Sequence, residues 1–332
     1  LYELQEMGTS EMYLAGGGEP RMHPAIMDVL RAIKQRNMVC FVNTNFTLVD
    51  QSRAEEMVEM GLDHLTVSVW AGTPEVYSLT HPNKTEETFE QLRTMLTYLN
   101  KSKNGGPPFI KLYNVISRIN WRDVEAMVEF ARTTLCESVE FTVVDTVPGA
   151  TDHLLLNDQE RTELYERCLR LRDRVENPRP GERFPLLFQF EQFLRRISGE
   201  EAVSGEYDKQ VIDSLPCTIG WTFARVLPDG KVNSCLKAHR IPIGDIYTAS
   251  FRELWNSDAQ IRFRKQTNVF EKGGPFFSKI GNDPNAAVGC YKSCDDLARN
   301  QTTFARLRSL SSVERGTLKA AQRLLRARRS YV

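Results

Sequence analysis

From residue 8 onward the chain alternates short β-branched and aromatic runs with longer stretches whose apolar residues recur every three or four positions. The runs are 11–15, 39–43, 64–71, 109–117 and 138–145, and the segments 24–36, 51–60, 85–99 and 121–133 carry helical spacing. Asp50 and Asn120 stand where N-caps are expected, and Gly61 where a helix should stop. Strands alternating with helices predict parallel βαβ units with right-handed crossovers. Residues 1–7 read as the last turns of a helix stopped by Gly8, and Leu1 is not a methionine. The chain is therefore expected to begin part-way through an element, with at least one strand hidden upstream of the five visible ones.

After Pro148-Gly149 the pattern changes. The spacing predicts a long amphipathic helix over 158–175, a Pro/Gly linker over 177–183 and a further helix over 186–197. Cys217 opens a different unit, in which 221–227 and 231–236 flank Pro228-Asp229-Gly230 and read as a β-hairpin. A helix is expected over 251–265, a loop rich in Gly, Pro and Asn over 273–289, and a basic helix from Ser311 carrying Arg315, Lys319, Arg323, Arg326, Arg328 and Arg329. The expected organisation is a β/α domain over 1–150, a helical connector over 151–216, a cysteine-bearing domain over 217–298 and a basic C-terminal helix over 299–332. The basic helix could meet an acidic partner or redox protein, although a solvated face is the plainer reading.

Composition narrows the setting. The 332 residues contain 43 Lys and Arg against 43 Asp and Glu, so net charge suggests neither nucleic acid nor a membrane surface as partner. No apolar run approaches the roughly 20 residues that span a bilayer, and no signal-peptide pattern opens the chain. Seven cysteines without an export signal point to reduced thiols in a cytoplasmic protein, where spaced cysteines serve more often as metal ligands than as disulfides.

Two constellations carry chemistry. Gly16-Gly17-Gly18-Glu19-Pro20 follows the first strand and precedes a helix. Its glycines let backbone approach a ligand closely, and a carboxylate among carbonyls suits an ammonium group, although a tight turn with a solvated acid explains the same residues. The second is Cys217-x12-Gly230-x4-Cys235 with Cys290-x3-Cys294, two pairs of thiols from a hairpin and a distant loop. Four cysteines suit either zinc or an iron–sulfur cluster, and spacing alone leaves both open. His239 is a further candidate zinc ligand, with a solvated histidine the plainer alternative. Cys40 and Cys168 fall within a strand and a helix and read as inert buried thiols.

The segment Leu14-Ala-Gly-Gly-Gly-Glu-Pro20 resembles the Gly-Gly-Glu motif of the radical S-adenosylmethionine (radical SAM) superfamily. Further matches follow in the family's order. Asn43-Thr44-Asn45 is similar to its Thr-Asn-Gly, with Phe46 in the glycine position; Thr66-Val-Ser-Val69 is similar to its fourth strand; Asn114 and Asn120 match polar positions of the fifth. From Cys217 to Cys294 the chain resembles the SPASM/twitch domain through Trp221, Leu227-Pro-Asp-Gly-Lys-Val232, Ile243-Gly-Asp245, Phe251-Arg-Glu-Leu-Trp255 and Arg262. Four suitable cysteines fit the shorter twitch form better than the seven of the full SPASM domain. The family's three-cysteine loop, C-x3-C-x2-C, is absent, since Cys40, Cys136 and Cys168 lack that spacing. Truncation ahead of Leu1 is the expected cause, and the chain by itself is not expected to bind the catalytic cluster.

The resemblance implies a partial (β/α)6 TIM-like barrel, N-terminally truncated, with a small C-terminal β-hairpin/helix iron–sulfur domain. It implies that S-adenosylmethionine is cleaved to a 5′-deoxyadenosyl radical, which takes hydrogen from a substrate. It places Gly16, Gly17, Gly18, Glu19, Asn45, Ser68 and Asn114 on the cofactor, and Cys217, Cys235, Cys290 and Cys294 on an auxiliary [4Fe-4S] cluster that accepts an electron or holds the domain together. Trp70 could line the site or simply pack in the barrel. A catalytic [4Fe-4S] cluster is expected only with upstream cysteines, and an electron-donor redox protein is the implied partner. The substrate is a peptide or protein, or a small metabolite. The alternative is a non-catalytic binding module, stabilised by zinc or a cluster on a degenerate barrel.

Overall fold

The structure, a computed structural model, describes residues 1–15, 17–281, 290, 293–314 and 316–317. It divides into two compact units, residues 1–207 and 208–332.

The first unit is built on a six-stranded parallel sheet whose spatial order follows the chain. Its strands are β1 (Glu11–Leu14), β2 (Val39–Thr44), β3 (His64–Ser68), β4 (Phe109–Ile116), β5 (Ser138–Val143) and β6 (Leu186–Phe188). Helices α1 (Tyr2–Glu6), α2 (Ile26–Lys34), α3 (Gln51–Glu59), α4 (Pro74–Thr80), α5 (Glu86–Ser102), α6 (Val124–Thr133), α7 (Asp158–Glu176) and α8 (Phe190–Ser198) precede, connect and follow these strands. Burial alternates along the strands. Leu65 and Val67 of β3, Ile110 and Leu112 of β4 and Val139 and Phe141 of β5 join Phe89, Leu92, Leu96 and Leu99 of α5 in one core. The intervening residues are more open, and Tyr13, Phe41, His64 and Phe109 form a cross-strand row of rings on that side.

Five strands and four of the connecting helices lie where the pattern puts them. Asp50 caps α3 by accepting from Arg53 N at 2.9 Å, and Gly8 and Gly61 take left-handed φ of 84° and 67° after the preceding helices. The expected helix over 186–197 is corrected at its start. Leu186–Phe188 is instead the sixth strand, paired with β5, and Gln189 at φ 52° ends it before α8 begins. The strand expected over 64–71 ends at Ser68, because Trp70 adopts φ 57° and leaves the extended conformation. Helix α4 has no counterpart in the expectation. The stretch expected as connector supplies Leu164, Cys168, Leu171, Phe190 and Phe193 to the same core as the sheet.

Asn120 does not cap its helix. Its Nδ2 donates to Trp70 O at 2.8 Å and Val115 O at 2.9 Å, and its Oδ1 accepts from Ser117 N at 2.8 Å. This buried amide ties the loops after β3 and β4 together. Asn120→Ala is expected to cost about 2–3 kcal/mol, measured as a lowered urea midpoint, because three buried backbone groups lose their partner.

The second unit holds a small antiparallel sheet of β7 (Arg225–Val226), β8 (Lys231–Asn233) and β9 (Gly244–Asp245). The hairpin turn is the one expected: Gly230 takes φ 84°, and a Cβ there would meet the Tyr247 ring at 2.4 Å. The strand expected over 221–227 is shorter, since Trp221 lies in α10 (Ile219–Thr222), which follows α9 (Lys209–Asp213). The helix expected over 251–265 is two, α11 (Phe251–Trp255) and α12 (Asp258–Thr267), because Ser257 accepts from Gln260 N and caps a new start. Helix α13 (Leu297–Ser309) follows the last cysteine. Most of the expected basic tail, including Arg315 and residues 318–332, lies outside the described residues, as does Gly16. Among the described residues no helix is long and apolar enough to cross a membrane.

Candidate functional site

At the C-terminal end of β1 the chain turns through Gly17 at φ 82° and Gly18 at φ 145°, both values that side chains disfavour. The turn delivers Glu19 to the end of β2. Its Oε1 accepts from Thr44 Oγ1 at 2.8 Å and from Arg21 N at 3.2 Å, and its Oε2 accepts from Asn45 N at 2.7 Å. The carboxylate therefore staples the two strand ends together, using three of roughly four acceptor positions. Neither the free anchor nor the solvated acid of the sequence reading describes it fully.

Asn45 makes a local turn, its Oδ1 accepting from Thr47 N and Oγ1 at 3.0 and 2.9 Å. Next to it Phe46 sits at φ 61° with its ring buried. That backbone conformation accounts for a glycine at the matching family position. Arg21, which sequence reasoning passed over, is buried beside the loop; burial lowers its pKa and the charge of Glu19 opposes the fall. Its only sequence signal is its place directly after the Gly-Gly-Glu-Pro run.

Ser68 lies on the open side of the sheet, in register with Tyr113 of β4 and next to the layer holding Lys111. Lys111 pairs with Glu140 at 2.5 Å and stands 4.7 Å from the Phe188 ring centroid. This charged pair was not singled out from sequence, although strand alternation places both residues on the open face. Asn114 shares the parity of Leu112 and Ile116, the helix-covered side, and neither atom of its buried amide has a hydrogen-bond partner. The structure thus joins Glu19 to Asn45, puts Ser68 on the open face and places Asn114 on the other. Trp70 follows Ser68 by two residues, with its ring 5.3 Å from that of His81 and its Nε1 buried without a partner.

The second unit gathers the four cysteines. Burial raises each thiol pKa above its ordinary value, Cys290 to about 12 and Cys235 and Cys294 well above the usual range. Each of the six pairs among the four is close enough for one sulfur to act on the other electrostatically. Backbone N–H groups of Ile219 and Lys237 act on Cys217 and Cys235 in the opposite direction. Cys294 N donates to the buried carboxylate of Asp208 at 2.8 Å, and Lys237 Nζ donates to Ser293 Oγ at 2.5 Å, so the chain entering Cys294 is held. Lys272, also buried, is held by the carbonyls of Ile212, Leu215, Val269 and Phe270, and lies within the field of Cys217, Cys290 and Cys294.

Among the described residues no three His, Cys, Asp or Glu side chains are tight enough to hold one metal ion. Tetrahedral zinc at about 2.3 Å from each sulfur requires sulfurs about 3.8 Å apart. Four cysteine thiolates can ligate either zinc or an iron–sulfur cluster. His239 is exposed. Cys40, Cys136 and Cys168 are buried in the first unit, where burial pushes each thiol to about 12, outside the range of reactive thiolates.

A parallel β/α sheet with a stapled glycine turn at its strand ends, followed by a unit with four half-buried cysteines, defines an α/β protein with a candidate metal or cluster site. Residues 1–131 match the Radical SAM superfamily model, and residues 217–273 match the model of the iron–sulfur cluster-binding SPASM domain. These two domains imply S-adenosylmethionine and [4Fe-4S] clusters as cofactors.

Similar proteins include the PqqA peptide cyclase of Gluconobacter oxydans, 23% identical over 271 residues, which are 77% of this chain and 65% of that protein. The tungsten-containing aldehyde ferredoxin oxidoreductase cofactor-modifying protein of Pyrococcus furiosus is 26% identical over 121 residues, 36% of this chain and 33% of that one. The chain thus matches about one third to just under two thirds of these relatives' lengths. Among solved structures, anSMEcpe with bound AdoMet superposes with TM-score 0.58 at 16% identity, covering 92% of this chain and 85% of that one. SuiB of Streptococcus suis bound to S-adenosylmethionine gives 0.56 at 14%, covering 79% and 58%. Both identify the sheet and its helices as the partial TIM-like barrel of this fold.

Proposed function

We propose that the protein is a peptide-modifying radical enzyme whose C-terminal unit holds an auxiliary [4Fe-4S] cluster on Cys217, Cys235, Cys290 and Cys294. The observation that carries this reading is that Cys217, Cys235 and Cys290, far apart in sequence, pack half-buried against one apolar cluster in the unit that also holds Cys294. When bound, the catalytic cluster and S-adenosylmethionine supply a reductively generated radical that removes a hydrogen atom from the substrate. The chain's own residues bind and orient. The Gly17-Gly18 turn offers backbone carbonyls to the cofactor's ammonium group, Glu19 holds that turn against Thr44 and Asn45 and adds its negative charge, and Ser68 supplies a hydroxyl on the open face. Asn114, on the covered side, is left out of this set. Cys217, Cys235, Cys290 and Cys294 would hold the auxiliary cluster, which would supply an acceptor for the electron left on the substrate. A peptide is favoured over a small metabolite because the match to a peptide cyclase runs through 77% of this chain.

Loaded anaerobically, the chain is expected to hold about four irons and matching sulfide at the C-terminal site, and zinc in their place would support the binding-module reading. Preceded by the family's three-cysteine segment and supplied with reductant, it is expected to release 5′-deoxyadenosine from S-adenosylmethionine. No release from cluster-loaded protein would refute the catalytic assignment. Glu19→Ala is expected to weaken S-adenosylmethionine binding by about tenfold or more, since the loss of charge-assisted hydrogen bonds loosens the turn. Equilibrium dialysis measures this, and unchanged affinity would remove both Glu19 and the turn it holds from the cofactor site.

A further inference from the structure

Helix α13 begins after the last cysteine and turns one buried side chain back onto the first. Asn300 donates from Nδ2 to Cys217 Sγ at 3.6 Å. Its Oδ1 accepts from Thr218 N at 2.8 Å and from Thr218 Oγ1 at 3.0 Å. The Thr218 backbone N–H can only donate, so it identifies the oxygen end of the amide and leaves the NH2 end on sulfur. The orientation follows from the hydrogen-bond network. Asn300 is itself fixed in the helix, its backbone N donating to Asp296 O at 2.9 Å.

We propose that Asn300 is a positioning residue for the C-terminal cluster, orienting the Cys217 thiolate and raising the reduction potential of the cluster that this sulfur ligates. The proposal rests on the reading of Cys217 as a ligand. Its physical basis is the charge that reduction adds. Part of the added electron density falls on the cysteine sulfurs, and a donor aimed at one of them stabilises the reduced state more than the oxidised one. The side chain is neutral, so it exerts this effect without changing the net charge of a pocket that already contains Lys237, Lys272, Asp208 and Asp296. A higher potential suits a cluster that takes an electron from a substrate radical. It also gives α13 a role in a site whose ligands all precede it.

The test is a potentiometric titration of the cluster-loaded chain, followed by electron paramagnetic resonance of the reduced cluster, with iron and sulfide measured in parallel. Asn300→Asp keeps the shape and the acceptor for Thr218 but turns a carboxylate oxygen towards sulfur. Asn300→Ser removes the amide donor and leaves only a shorter hydroxyl, without adding charge. The expected result is a midpoint more negative than wild type in both variants, further negative in Asn300→Asp, with iron content retained in Asn300→Ser. Midpoints equal to wild type in iron-loaded Asn300→Ser would overturn the proposal even if Asn300→Asp failed to load. Wild-type protein that takes up no iron would instead overturn the ligand assignment beneath it.

Discussion

Cys235→Ser is expected to strip the C-terminal unit of its cluster and to lower that unit's stability by several kcal/mol. The four thiols are half-buried and desolvation raises their pKa values, so in the absence of metal they stay protonated. Cluster assembly must displace those protons. The binding free energy that does so becomes folding free energy for a unit whose two apolar clusters are small, one of them centred on Ile219, Ala238, Phe263, Phe277 and Ile280. Cys217, Cys235 and Cys290 pack directly against that cluster, so losing the inorganic core also loosens its wall. Iron and sulfide analysis and the thermal midpoint of the loaded protein read the two effects. Cys168→Ser is the control: its thiol is buried in the first unit, so iron content should be unchanged. Full iron and sulfide in Cys235→Ser would remove Cys235 from the ligand set.

The parts of this molecule that could be read from its sequence are those in which a local pattern has a single structural solution. Strict alternation in β3 to β5 and three-four spacing in α5 and α6 left little choice, and Gly230 after Pro-Asp could only mark a tight turn. The reading failed where tertiary context decides. Leu186–Phe188 is too short to show a period of two, and its strand identity comes from pairing with β5. The split between α11 and α12 depends on the cap made by Ser257, a hydrogen bond that apolar spacing does not register.

The candidate site was legible in residue types and less so in roles. Glycines, glutamate and four cysteines could be picked out by spacing. That the Glu19 carboxylate is held by Thr44 and the Asn45 amide could not be read, since it requires two strand ends to be neighbours. Asn114 illustrates the same limit: its position along β4 is right for a polar contact, but its parity puts it with the covered residues. Lys111 and Glu140 pair across adjacent strands, and only the parallel register brings them together.

Gly72→Ala is expected to be the most damaging single substitution in the first unit, at about 3 kcal/mol or more. A Cβ at this position would lie 2.1 Å from Ala126 C and 2.3 Å from Met127 N, both backbone atoms inside α6. Neither can rotate away, so the loop after β3 must move as a whole. That movement would break the bond from Gly72 N to Asp123 Oδ2 at 2.5 Å and pull against the one from Asn120 to Trp70 O at 2.8 Å. The loop begins directly after Ser68, so the same displacement reaches the open face where the cofactor is proposed to bind. Gly105→Ala separates this clash from the general cost of replacing a glycine. Gly105 has a left-handed φ of 79° but open space around it, and alanine there should cost about 1 kcal/mol from backbone strain alone. Urea unfolding of the two variants measures the difference. Equal losses would mean that α6 can yield at Ala126, and the close approach of loop and helix would not be what fixes the end of β3.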